Sequence, residues 1–330
     1  MKKLFALLIL LLTGFVLAQT GTLTAADVGL PEPNPNSIEV VDITDECRII
    51  RDFQGESCVP LNPIRIVSMD PGTITDNLLA LGQKPVASRT YEELSEGLEA
   101  AFPAAIAGFA EGIEGVGTWP PNIESVLAAA PDLIITYDWM FDQIPYDQFA
   151  AIAPTVAIQD TNDWRSTLVD IARIIGDEET AQQLIDQFYV DAAALDAQLP
   201  DMDIALLRPR PDLMQIYGTS AEATRILDAI GLSLTPVPPG ATNLWGEDGQ
   251  EAGQISYEVL DLIEGEVFFV IGYNLEPDQM AELMAGDVWN ALPVVAAGNA
   301  FNVPGFAWTN HGYYGVYKVL EEVEAALLDN

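Results

Sequence analysis

Two stretches of this chain align residue for residue without a gap: Asn122–Ile135, NIESVLAAAPDLII, and Ser256–Phe269, SYEVLDLIEGEVFF. Each reads as a short helix with Glu at its third position, followed by a buried strand. Glu124 falls on Glu258, Val126 on Leu260, Asp132 on Glu266 and Leu133 on Val267. A second echo pairs LLALG, Leu78–Gly82, with LDAIG, Leu227–Gly231. Helix-strand units of this composition are common, so either match alone carries little. Two matches in the same order indicate two similar α/β lobes.

Between the copies lies Asp177–Leu199, which reads as one long helix. Asp177 is a good N-cap, Glu178 and Glu179 suit the positive end of the helix dipole, and neither Pro nor Gly interrupts before Pro200. Ala181, Leu184, Ile185, Phe188, Ala192, Leu195 and Leu199 fall on one face at helical spacing. At 1.5 Å per residue the helix would be roughly 33 Å long, enough to join two lobes. Periodicity alone fits an ordinary bundle helix better, and the flanking repeat decides for the joining role. The chain therefore divides into 1–18, a signal peptide; 19–62, a leader and N-terminal hairpin; 63–160, a first α/β lobe; 161–199, a helical segment with the interlobe helix; and 200–330, a second α/β lobe. At 330 residues it is long enough for two domains with separate cores.

The N-terminus, MKKLFALLILLLTGFVLAQT, has Lys2 and Lys3, an apolar run and small residues ending at Ala18, the pattern of a secretory signal cleaved there. A membrane anchor is the alternative, for which the run is short. There is no Cys at the cleavage site, so a freely soluble periplasmic product, without stable membrane insertion, fits better than a lipoprotein. In an exported chain the pair Cys47 and Cys58 reads as a disulfide closing a hairpin. Metal binding by the pair is the weaker reading, because two thiolates with no nearby His do not fill a tetrahedral site.

Charge limits the partners. Against 50 Asp and Glu stand 13 Lys and Arg, a formal net charge of -37, which disfavours nucleic acid and anionic lipid. In such a chain every Arg stands out. Strands alternating with helices indicate a parallel sheet, whose ligands sit beyond the carboxyl ends of the strands. Arg89, Trp119, Tyr137, Trp139, Arg208, Arg210, Tyr217, Trp245, Tyr273 and Trp308 fall at such ends or in the loops after them. Guanidinium forks and flat rings suit an anionic, partly aromatic small molecule. Each Arg could instead pair with a surface carboxylate, and core packing is the commoner fate of Trp and Tyr. With His311 as the single histidine, His-based metal sites and most Ser-His schemes are removed, and no catalytic residue or cofactor is assigned. Neither GxxxxGK[ST] nor GxGxxG occurs, so nucleotide phosphates lack their usual cradle.

CRIIRDFQGESCVPLNPIRIVSMD, LLALGQKPVAS, GTWPPNIESVLAAAPDLII, LLRPRPDLMQIYG and VWNALPVVAAGNAFNV resemble, as an ordered set, the iron-siderophore solute-binding proteins of ABC importers. The resemblance covers nearly everything after about Cys47. It implies the class III periplasmic binding protein fold: two Rossmann-like α/β lobes joined by a single long helix, with a ferric chelate in the cleft and little lobe closure. It implies that Glu124 and Glu258, the residues the internal repeat superposes, dock on basic pockets of the importer's transmembrane subunits. Trp119 and Arg89 would line one wall; Arg208, Arg210, Tyr217 and Trp308 would line the other. The ligand would be an anionic ferric siderophore of carboxylate or catecholate type, its iron held by the siderophore, and the carrier a monomer. Cobalamin and haem binders share the architecture and are the alternative ligand class. An exported hydrolase using paired carboxylates is a more distant one.

Overall fold

The computed structural model describes residues 38–90, 108–159, 163–219, 221, 223–245, 251–272, 277–303, 305–309 and 312–328. The expected signal peptide, the expected leader up to residue 37, Tyr273 and His311 lie outside them.

The described chain opens with an antiparallel sheet of β1 (Glu39–Ile43), β2 (Cys47–Asp52) and β3 (Gly55–Pro60), in that order. Its tight turn uses Gly55 at φ +133°, a conformation that favours glycine. The expected Cys47–Cys58 disulfide joins β2 to β3, with the two Cα atoms 5.4 Å apart. Polar contacts fix this sheet to the body behind it. Asp52 accepts the Ala157 N–H at 2.7 Å, the Ser57 hydroxyl donates to the Thr155 carbonyl at 2.8 Å, and Arg48 donates to the Ile174 carbonyl at 3.3 Å.

Next come β4 (Ile66–Ser68), α1 (Ile74–Ala80), β5 (Ala87–Ser88), β6 (Glu114–Gly115), α2 (Ile123–Ala128), β7 (Leu133–Tyr137), α3 (Tyr146–Ala150) and β8 (Thr155–Ile158). They form a five-stranded parallel sheet of order β6-β5-β4-β7-β8. Helices α4 (Trp164–Ile175) and α5 (Glu178–Asp196) follow. Asp163 caps α4 by accepting the Arg165 N–H at 3.1 Å, and Gly176 ends it at φ +81°. The interlobe helix is α5; it stops three residues short of Leu199, where the Gln198 and Leu199 N–H groups turn to the carbonyls of Leu195 and Asp196.

The second sheet is built from β9 (Met202–Pro209), β10 (Leu213–Tyr217), β11 (Leu232–Leu234), β12 (Thr242–Trp245), β13 (Ala252–Ser256), β14 (Val267–Ile271) and β15 (Ala300–Val303). Helix α6 (Ala223–Asp228) precedes β11, and α7 (Pro277–Met284), α8 (Asp287–Asn290) and α9 (Pro293–Ala296) precede β15. Helices α10 (Gly305–Thr309) and α11 (Tyr313–Leu327) close the chain. The order is β12-β13-β10-β9-β14-β15, with β11 also on β9. This sheet is mixed, not purely parallel: β10 runs antiparallel to β9, and β13 to β10. The short Arg210-Pro211-Asp212 link cannot carry a crossover, so the chain returns as a hairpin.

The internal repeat is present in three dimensions. Val126 and Leu260 are both buried, and β7 and β14 begin at Leu133 and Val267, the superposed residues. The acid before each strand makes the same pair of contacts. The Asp132 N–H donates to the Arg65 carbonyl and its carboxylate accepts the Arg65 N–H; the Glu266 N–H donates to the Asp203 carbonyl and its carboxylate accepts the Asp203 N–H. Gly82 and Gly231, the last residues of the second echo, both adopt left-handed conformations, φ +73° and +71°.

The two expected cores are in fact one shared core with two satellites. Ile66, Leu133 and Ile135 of the first sheet and Ile204, Leu206 and Phe269 of the second belong to a single apolar cluster that also takes in Trp164, Phe188 and Val319. Strand alternation assigns the opposite faces to separate clusters, Val67 and Ile134 in one, Ala205, Leu207 and Phe268 in the other. Helices α4, α5 and α11 thus form a common middle layer. Asp76 of α1 fastens it by accepting the N–H groups of Tyr314 at 2.8 Å and Gly315 at 3.0 Å, which caps α11, while Asn77 accepts that of Tyr313 at 3.0 Å. Among the described residues no helix is long and apolar enough to cross a membrane.

Candidate functional site

The carboxyl ends of β4, β5, β6 and β7 bring four of the expected residues together. Arg89 follows β5 and is 4 % exposed. Its Nε donates to the Met69 carbonyl at 2.8 Å and its Nη2 to the Asp70 carboxylate at 3.2 Å, both groups just beyond β4. The guanidinium carbon lies 5.9 Å from the centroid of the Trp119 ring. Trp119 meets Trp139 at 5.2 Å, and Tyr137 stacks on Trp139 at 5.9 Å with 18° between planes. The two indoles are 39 % and 38 % exposed, large values for tryptophan. The exposed surface of this wall is therefore aromatic. The cation sits behind the ring, paired with Asp70, where it polarises the indole face and has little surface left for a ligand.

At the carboxyl end of β9 the side chains are more deeply set. Arg208 is buried, and its Nη1 donates to the Tyr217 hydroxyl at 3.4 Å. The Arg210 Nε donates to the Gln215 Oε1 at 3.1 Å. Register places Gln215 opposite Arg208 and Tyr217 opposite Leu206, so Arg208, Gln215 and Tyr217 share one face of the sheet. Gln254, opposite Gln215 on β13, continues the polar row. Sequence reading missed Gln215 and Gln254. The available signal was the alternation in LMQIY, which sets Gln and Tyr on one face and Met and Ile on the other.

Of the remaining expected residues, one lies in the core. Trp308 is not on a loop at the cleft wall: it belongs to α10, is 2 % exposed and packs on Phe269 at 4.9 Å. A large apolar ring beside β14 is worth more in the shared core than in water, although its indole N–H finds no acceptor there. Trp245 is the last residue of β12, not a loop residue. Tyr273 lies outside the described residues.

Glu124 and Glu258 are both exposed in the first turn of their segments. The Asn122 side chain accepts the Ser125 N–H at 3.1 Å, and the Ser256 hydroxyl accepts the Glu258 N–H at 3.2 Å. The second segment, Tyr257–Leu262, is a 3-10 turn where an α-helix was expected, broken at Val259. Among the described residues no cluster of three His, Cys, Asp or Glu side chains is arranged to hold a metal ion.

Comparison with known proteins gives a family. A model described as "Periplasmic binding protein" matches residues 66–305. The chain is 26 % identical to the probable siderophore-binding lipoprotein YfiY of Bacillus subtilis, over 86 % of this chain and 89 % of the relative. It is 28 % identical to the ferric enterobactin-binding periplasmic protein FepB of Escherichia coli, over 62 % of this chain and 67 % of the relative. Among solved structures, a FhuD fold-family binding protein component of a Fep/Fec-like ferrichrome ABC transporter from Bacillus subtilis superposes with a TM-score of 0.69. That match is 20 % identical and covers 84 % of this chain and 99 % of the other.

Proposed function

This chain belongs to the periplasmic binding protein family, and on that premise we propose that it captures a ferric siderophore and delivers it to the transmembrane subunits of an ABC importer. It is a carrier, not an enzyme, as are the relatives it matches. The observation that supports the ligand reading best is the pair of exposed indoles, Trp119 and Trp139, backed by Arg89 and Tyr137. Each ring stack is worth about 0.5–1.5 kcal/mol beyond the area it covers, and a cation against one face draws π density toward itself, which suits the other face to an electron-rich catecholate ring. Because Arg89 already serves Asp70, a citrate-type carboxylate would compete with an internal ion pair. A ring-bearing catecholate chelate would not, and we take it as the preferred ligand. The siderophore supplies the iron's ligands; the protein supplies the stacking surface and charge.

In this reading the protein is exported by residues 1–18 and works as a soluble monomer outside the inner membrane, and Glu124 and Glu258 are its two docking acids. Titration of intrinsic fluorescence tests the ligand: ferric enterobactin quenches tryptophan emission and its iron-free form does not. No response to ferric enterobactin, ferric citrate, ferric desferrioxamine, cobalamin or haem overturns the carrier reading. Quenching by cobalamin or haem alone transfers it to that ligand class. In cells, Glu124→Ala with Glu258→Ala leaves affinity intact and stops uptake; unimpaired import by the double variant removes the docking roles.

A further inference from the structure

On the second lobe, the 3-10 turn Tyr257–Leu262 and helices α7 and α8 enclose a groove of about 510 Å³. Leu260 and Trp289, both nearly fully buried, close its floor together with Leu283, and Val288 stands at its edge, 49 % exposed. Glu258, Glu282 and Asp287 supply three carboxylates to its lining against the guanidinium of Arg210, whose Nε donates to Gln215, so the balance stays acidic. Val259 and Leu262 of the same turn are also exposed, so apolar surface and acid are presented side by side. Patches of that composition mark sites of protein association. In the first lobe the superposed segment offers Glu124 and the exposed Leu127.

The chain's own chemistry narrows the occupant. Between Lys3 and Arg48 there is no Lys or Arg, so the leader would bring further acid, including Asp27 and Glu32, to an acidic groove. A second copy carries a formal charge of -37 and would be repelled in the same way. What complements the groove is a segment of another protein that places an apolar side chain on the floor and Lys or Arg beside the carboxylates.

We propose that this groove is the socket in which a basic, apolar-tipped segment of the importer's membrane subunit seats, next to Glu258. The inference rests on the carrier reading and adds to it a recess supplied by the second lobe.

The test uses the full chain in cells lacking their own copy, supplied with 55Fe as whichever of the ferric enterobactin, citrate and desferrioxamine chelates quenches the wild type. Val288→Glu, and separately Glu282→Arg with Asp287→Arg, reduce uptake at least tenfold while chelate affinity stays within twofold. Leu127→Glu reduces it less. A photo-crosslinking residue at position 288 yields an adduct with the importer's membrane subunit. Full uptake by both groove variants, while Glu124→Ala with Glu258→Ala stops it, overturns the socket and leaves the carrier reading standing. An adduct only with a second copy or with an unrelated protein also overturns the socket. A wild type that binds none of the chelates fails the carrier reading itself, and the socket with it.

Discussion

Asp76 ties helix α11 to α1 of the first lobe, and removing its charge gives the sharpest test of that arrangement. Burial pushes its carboxyl up from the ordinary 3.8 to about 7; two N–H bonds from Tyr314 and Gly315 oppose the shift, and the nearby Asp70 adds to it. The folded protein therefore binds more protons than the unfolded chain between pH 4 and 7. The stability contributed by the protonated form is fully present below pH 4 and is lost as pH rises to 7. Three units at about 1.36 kcal/mol each make the loss roughly 4 kcal/mol. Asp76→Asn keeps an oxygen for one of the two N–H groups and cannot ionise, so this component vanishes. Asp170, also pushed up to about 7 by burial against the pull of Arg173, remains in both proteins and cancels in the difference. Urea unfolding from pH 4.5 to 8.5 should show the variant gaining on the wild type by roughly 3 kcal/mol as pH rises, the rest of the loss falling below pH 4.5. Two curves that stay parallel would refute the reasoning.

The other predictions concern the wall, the core and the staples. Trp119→Leu should weaken binding of the quenching chelate about five- to tenfold with little change in stability, in line with the loss of one cation-backed stack. Trp308→Phe should do the reverse, lowering the unfolding midpoint and leaving affinity unchanged, because that ring lies in the core. Replacing Cys47 and Cys58 together by Ser opens a loop of sequence separation 11 and should cost about 3 kcal/mol by chemical denaturation. In Gly312→Ala the new Cβ would lie 2.3 Å from Asp76 carbons, so the variant should lose about 1–3 kcal/mol, measurable as a lower melting temperature.

Reading the chain without coordinates went furthest where chemistry is local. The gap-free match of Asn122–Ile135 with Ser256–Phe269 specified equivalent strands, and even the backbone contacts of Asp132 and Glu266 obey it. Trp164–Ile175 is bounded by an Asp cap and a left-handed Gly, both local features of the sequence. What failed depended on partners distant in sequence. The unbroken runs Ile66–Ser68 and Ile204–Leu207 show that both faces are buried but not against what, so the common middle layer could not be inferred. Trp308 follows a strand, as a cleft residue would, yet Phe269 claims it. Arg89 was found by its position, whereas its neutralisation by Asp70 depends on β4 and β5 lying side by side.

The shared apolar layer also bears on unloading. Swinging the halves apart would wet side chains such as Trp164, Phe188 and Phe269, each worth about 1.5–3 kcal/mol when fully buried. Three of these together place the parted state roughly 4.5–9 kcal/mol above the closed one, so it is rarely populated. Such a molecule does not yawn open to discharge its cargo by itself. The work of extraction falls to the receiver, and the vessel can be cut in half by a geneticist only at the expense of both pieces.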